Sequence, residues 1–102
     1  MSKSALEALT RCLAKEERGY GIRVNAIAPG LVDTSMGRLV AKVVRGMDNI
    51  QELYPAAPFG RLAQPSDVGE LCAFLVSESG SYISGQVIFV DAGVPASELL
   101  TS

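Results

Sequence analysis

The sequence predicts an α/β fold, and three observations carry that prediction. Residues 4–18, and the stretch opened by Pro65-Ser66-Asp67, repeat apolar side chains at three- and four-residue spacing, the period of a helix with one apolar stripe. Ile22–Ala28 and Ile83–Val90 are short apolar runs rich in β-branched residues, ended by Pro29-Gly30 and by Asp91-Ala92-Gly93. Helical sequence lies between the two runs, an order that makes the strands parallel and joins them by a right-handed crossover. The expectation is two parallel strands and about three helices in one small domain, 102 residues being enough for one and no more.

The first helix takes its stripe from Ala5, Leu6, Leu9, Cys12 and Leu13, with Glu7 and Arg11 paired one turn apart on the other face. Lys15 and Arg18 suit the negative end of its dipole, and Gly19 and Gly21 stop it. Ile22–Ala28 is apolar almost throughout, as a strand buried on both faces would be, and Asn25 within it requires a hydrogen-bond partner. Over residues 34–53, Leu39, Val40, Val43, Val44 and Met47 keep helical spacing, while Gly37 and Gly46 weaken both ends. Tyr54–Gly60, with two prolines, reads as a loop. Pro65 fits the first position of the next helix and Asp67 its positive end; Val68, Leu71, Cys72, Leu75 and Val76 form its apolar face and Ser79-Gly80 closes it. Ile83–Val90 is the second strand, and 94–102 carries no periodic pattern.

Composition removes several functions. Nine basic and eleven acidic residues leave a charge of −2, and with no basic block a nucleic-acid partner is not expected. The longest apolar run is a few residues, so no membrane span is expected, and the first residues lack the pattern of a cleaved leader. There is no histidine, and Cys12 and Cys72 stand far apart without metal-ligand neighbours, so no metal site is expected. Both cysteines fall on apolar helix faces and read as buried, reduced thiols of a cytoplasmic protein.

Three stretches carry more than structure: Met1-Ser2-Lys3-Ser4-Ala5-Leu6, with a lysine at the head of the first helix; Arg23 to Thr34, ending Pro29-Gly30-Leu31-Val32-Asp33-Thr34; and Gly85 to Gly93. As a set, over about residues 2–93, they resemble the second half of a short-chain dehydrogenase/reductase. The resemblance implies the C-terminal part of a Rossmann-like doubly wound parallel sheet, so that residues 1–102 form a partial NAD(P)-binding domain. In that family a Tyr-x-x-x-Lys pair does the acid–base work. The lysine ammonium holds the nicotinamide ribose and lowers the pKa of the phenol, which at about 10 is otherwise a poor base at neutral pH. The tyrosine exchanges a proton with the alcohol or carbonyl substrate while hydride moves to or from the cofactor. If Lys3 is that lysine, its tyrosine belongs two positions before Met1, and Met1 is expected to be an internal methionine, the coding sequence having been opened late or truncated.

The resemblance further implies that Pro29, Gly30, Leu31, Val32 and Thr34 descend from a nicotinamide-binding loop at the carboxyl end of a strand, where open α/β sheets take their ligands. Backbone groups near Val32 would hold the carboxamide and the Thr34 hydroxyl would bond the cofactor nearby, while Lys3 would serve as both catalytic and cofactor-binding residue. Met36 joins the cofactor-binding set at the start of the segment that corresponds to the family's variable substrate lid. The implied activity is alcohol–ketone interconversion with NAD or NADP, as in 3-oxoacyl carrier-protein reductases or sugar and hydroxyacid dehydrogenases. These residues hold no glycine-rich phosphate loop and no tyrosine four places before a lysine. Loss of such an acid costs on the order of a hundred- to ten-thousandfold, so the isolated chain is expected to be inactive. The expected partners are the small-molecule substrate of the intact enzyme and a second copy or a full-length homologue. The second reading is a non-catalytic fragment that docks on such a homologue.

Overall fold

The computed structural model describes residues 2–101, so Met1, expected to be an internal methionine, and Ser102 lie outside the described residues. In chain order the elements are α1 (Lys3–Glu17), β1 (Ala26–Pro29), α2 (Ser35–Arg45), α3 (Pro65–Val76), β2 (Val87–Val90) and α4 (Ala96–Thr101). Short 3-10 turns occupy Arg18–Tyr20, Ile50–Ala56, Pro58–Gly60 and Glu78–Gly80. β1 and β2 pair directly: Ala26 N–H donates to Gln86 O at 2.9 Å and Gly30 N–H to Val90 O at 3.0 Å. Partners that advance together along both strands make the pairing parallel, as expected. The chain divides into two compact units, Met1–Ala28 with Gly69–Ile88 and Pro29–Val68 with Phe89–Ser102.

In the first unit Ser2 caps α1 by accepting from Ala5 N–H at 3.1 Å, and Gly21 (φ 73°) takes the left-handed conformation that ends the following turn. Asn25 finds the partners its position requires: its amide donates to Ile83 O at 3.0 Å and accepts from Gln86 N–H at 3.1 Å. Arg23 does what the sequence did not announce. One guanidinium nitrogen donates to the carbonyls of Leu75 and Gly80, each at 2.7 Å, and Ile83 at 3.2 Å, gathering the end of α3 and the next turn. Three expectations fail here. β1 is half-buried rather than buried on both faces, because only β2 pairs with it among the described strands. Leu9 and Leu13 of the α1 stripe are exposed, and so are Cys12 and Cys72; on α3 Leu75 is buried, while Val76 and the Cys72 thiol beside it stay exposed. Glu7 and Arg11 form no ion pair among the described residues, as is common for two solvated side chains that gain little by meeting.

The second unit holds the larger core: Leu31, Ala41, Ile50, Leu53, Ala57, Leu62, Leu99 and Leu100 are buried together. Gly46 (φ 69°) caps α2 and its N–H returns to Ala41 and Lys42, so the glycine that weakened the helical pattern is what ends the helix. The helical spacing expected to run on to residue 53 stops at Arg45. Ile50–Ala56 is a 3-10 turn that delivers Leu53 to the core, and the stretch expected as a loop, residues 54–60, is the end of that turn, the buried Ala57 and a second 3-10 turn, Pro58–Gly60. The tail without a pattern contains α4, six residues with two buried leucines that pack with α2. A helix so short offers too few repeats for periodicity to register. Arg45 ties the two helices by donating to Leu99 O at 3.1 Å.

Candidate functional site

The second unit builds its most elaborate polar structure where β1 stops. Pro29 is the last strand residue and Gly30 closes the pairing with Val90. A Cβ on Gly30 would fall 2.8 Å from the Cβ and 3.1 Å from the Cα of Asp91, so only glycine lets the chain pass there. Leu31 turns into the core. Val32 then bridges Ala63 in parallel, and Asp33 N–H donates to Ala63 O at 2.8 Å. That pattern turns the N–H and C=O of Val32 itself away from Ala63. The Val32 carbonyl accepts from Thr34 N–H at 2.9 Å.

Thr34, in extended conformation, is the N-cap of α2: its hydroxyl accepts from Gly37 N–H at 3.1 Å. Its own proton has only the Val32 carbonyl at 3.4 Å, a long contact that leaves the donor capacity of the hydroxyl largely unspent. Gly37 is held against the same carbonyl so closely that a Cβ would lie 1.9 Å from the oxygen. Met36 sits in the first turn of α2, 68% exposed.

Asp33 anchors this turn. Its carboxylate accepts the Tyr54 hydroxyl through a short hydrogen bond and Arg38 Nε at 3.3 Å. The Tyr54 oxygen in turn accepts Gln64 Nε2 at 3.1 Å. Its bond from the phenol, aided by Arg38, holds the Asp33 carboxyl below its ordinary pKa, and the same bond pushes the Tyr54 phenol above its own. Nearby, Asp67 accepts Gln64 N–H at 2.7 Å, the reach-back of a third helical residue to its cap, and pairs with Arg61 through two bonds at 2.7 and 3.2 Å. The Arg61 guanidinium first and the Gln64 N–H second lower the pKa of Asp67.

Beside the turn lies a cavity of about 230 Å³, lined among others by Gly30, Leu31, Phe59, Leu62 and Ala92. The two described non-glycine residues with positive φ, Phe59 (60°) and Ala92 (54°), both border it. The cavity reaches Gly30 and Leu31 of the predicted loop but not Val32, Thr34 or Met36.

Of the residues singled out in sequence, the structure brings Pro29, Gly30, Leu31, Val32, Thr34 and Met36 into one continuous turn and helix start. Lys3 is the first residue of α1, exposed, and belongs to the first unit. Tyr54, Gln64 and Arg38 were not foreseen around Asp33. Arg38 lies five residues on, but the two others are 21 and 31 positions away, beyond the reach of any local pattern. No group of metal-binding side chains occurs among the described residues, and none of their helices is long and apolar enough to cross a membrane.

Residues 1–95 match the family described as enoyl-(acyl carrier protein) reductase. An uncharacterised oxidoreductase of Bacillus subtilis (strain 168), YmfI, is 42% identical over 93 residues, covering 91% of this chain and 36% of that protein. Among solved structures, a short chain dehydrogenase family protein from Francisella tularensis superposes with a TM-score of 0.73 at 34% identity, covering 89% of this chain and 40% of that one. A 3-oxoacyl-[acyl-carrier protein] reductase from Brucella melitensis superposes with a TM-score of 0.70 at 38% identity, covering 90% of this chain and 32% of that one. The chain thus spans little more than a third of the length of YmfI.

Proposed function

The chain belongs to the short-chain dehydrogenase/reductase family, and from that membership we propose that it supplies the nicotinamide shelf of an NAD(P)-dependent oxidoreductase interconverting alcohols and ketones. When bound, the nicotinamide supplies or accepts the hydride. The chain's own part is to hold it. A carboxamide needs both a donor and an acceptor. The turn after β1 offers the Val32 N–H and the weakly engaged Thr34 hydroxyl proton as donors, and the second lone pair of the Val32 carbonyl, whose first takes Thr34 N–H, as acceptor, so the residues fit the group. Met36, exposed at the start of α2, would cover the ring, and Pro29 to Leu31 would set the height of the shelf. Lys3 serves the ribose and a tyrosine phenol that these residues do not include.

The observation that carries the reading is Thr34, a helix cap whose hydroxyl accepts from Gly37 while its own proton has only a 3.4 Å contact. The resemblance to a 3-oxoacyl-[acyl-carrier protein] reductase supports a ketone-reducing chemistry without choosing the ketone. The 102 residues contain no glycine-rich phosphate loop, and none of Tyr20, Tyr54 and Tyr82 stands four places before a lysine. We expect these 102 residues assayed alone to turn over no substrate. The purified chain, assayed for NADH and NADPH oxidation with a panel of ketones, gives no rate above background; measurable turnover would overturn this part of the reading. A second reading, docking on another copy or a full-length homologue, draws on the exposed Leu9, Leu13, Phe74 and Val76 of α1 and α3. Size-exclusion chromatography with and without such a homologue tests it: co-elution supports docking and independent elution rejects it.

A further inference from the structure

We propose that Tyr54 is a positioning residue of the shelf: its phenol, clasped between the Asp33 carboxylate and the Gln64 amide, fixes the turn that presents Val32 and Thr34. The inference rests on the nicotinamide reading given above and names a residue which that reading does not use.

Asp33 lies between the two residues that would hold the carboxamide, and three bonds immobilise it. Its N–H goes to Ala63 O at 2.8 Å, and its carboxylate takes the Tyr54 hydroxyl and Arg38 Nε. The two side-chain partners are not equal. Arg38 is long, more than half exposed and 3.3 Å away, the kind of surface pair that fixes little. Tyr54 is half-buried and rises from the Ile50–Ala56 turn, whose Ile50 and Leu53 are 4% and 2% exposed in the core. Its ring therefore starts from a rigid base. Its oxygen also accepts from Gln64 Nε2 at 3.1 Å, so the hydroxyl has one direction left for its proton, toward Asp33. Gln64 in turn sits at the start of α3, where Asp67 holds its N–H. The phenol thus joins the shelf to two elements that the core already fixes, through a charge-assisted bond stronger than a neutral one.

The test uses the full 102-residue chain, isotopically labelled, as wild type, Tyr54→Phe, Asp33→Asn and Arg38→Gln. Amide exchange is read at Asp33 and Gly37, whose N–H groups bond Ala63 and the Thr34 hydroxyl, with Gly85, bonded to Val24 in the first unit, as internal control. Tyr54→Phe speeds exchange at Asp33 and Gly37 about tenfold and leaves Gly85 unchanged. Arg38→Gln changes exchange less than about twofold. Asp33→Asn, which keeps an oxygen for the phenol, retains part of the protection. In Tyr54→Phe the carboxyl carbon of Asp33 also titrates at higher pH than in wild type, a signature that packing alone would not move. Reduced nicotinamide mononucleotide, titrated into each chain, shifts the Val32 and Thr34 amides of wild type and binds about tenfold more weakly to Tyr54→Phe. Unchanged exchange and an unmoved Asp33 titration in Tyr54→Phe overturn the positioning role whatever the ligand does. Exchange effects as expected, with Val32 and Thr34 of the wild type deaf to the mononucleotide, overturn the nicotinamide reading and reduce Tyr54 to a structural tie.

Discussion

Gly37→Ala sets two physical arguments against each other. Gly37 is the third residue of α2, and in a solvated helix alanine is better than glycine by up to about 1 kcal/mol. Its φ is not in the left-handed region, so backbone freedom gives no reason to keep glycine. The structure gives a steric one. An added Cβ would lie 1.9 Å from the Val32 carbonyl oxygen, where real Cβ atoms stay beyond 3.0 Å, and 3.4 Å from Thr34 Oγ1. The obstacle is backbone, so α2 must withdraw by about 1 Å or the shelf must deform. Overpacking of this kind costs about 1–3 kcal/mol. Withdrawal also opens the Thr34 cap, worth about 1 kcal/mol. With the propensity gain subtracted, Gly37→Ala destabilises by about 1–3 kcal/mol. Gly69→Ala is the control: Gly69 lies within α3 and a Cβ there meets nothing within 4 Å, so the substitution stabilises by up to about 1 kcal/mol. Urea unfolding reads both as shifts of the midpoint at constant slope. Opposite shifts support the close approach of α2 to the shelf; two upward shifts refute it.

Other consequences follow from the same contacts. Arg23→Ala strips three backbone carbonyls of their shared cationic donor and lowers stability by about 2 kcal/mol in urea unfolding. Asp33 and Asp67 have folded-state pKa values below their ordinary ones, so what they contribute is complete above that ordinary value and is lost as pH falls through the folded one. Stability is then level from pH 6 to about 4 and declines below it, and the double variant Asp33→Asn/Asp67→Asn has a shallower decline in acid-titrated urea midpoints. Cys12 and Cys72 are exposed, so both thiols of the folded chain react with a disulfide reagent as fast as those of the urea-unfolded chain; a protected thiol would contradict their placement.

The parts of the fold that were legible in sequence are those whose signals are local. The α1 helix with its terminal glycines and Pro65 and Asp67 at the head of α3 reappear in place, while the two apolar runs form shorter strands than expected, Ala26–Pro29 and Val87–Val90, with residues 22–25 and 83–86 outside them. Asn25 shows the same at the scale of one side chain: an amide in an apolar run had to be bonded, and it is bonded on both sides. What escaped depends on distant partners. Periodicity could mark Cys12 and Cys72 as lying on apolar faces but could not say whether anything covers those faces, and both are exposed. α4 is shorter than two turns, and its helical state follows from burying Leu99 and Leu100 against a core made elsewhere. At the site, Pro29-Gly30 was readable as the turn that ends a strand. Gly37 looked like a weak helix start until the Val32 carbonyl was seen against it. Tyr54 gave no sign of reaching Asp33, because the core residues between them set that meeting.

The central claim is that the turn after β1 is shaped for a nicotinamide carboxamide. A crystal structure of this chain with reduced nicotinamide mononucleotide tests it most directly. The carboxamide is expected within about 3.2 Å of the Val32 backbone and the Thr34 hydroxyl. A ring lodged instead in the cavity beside Phe59 and Ala92, with no bond to Val32 or Thr34, would contradict it.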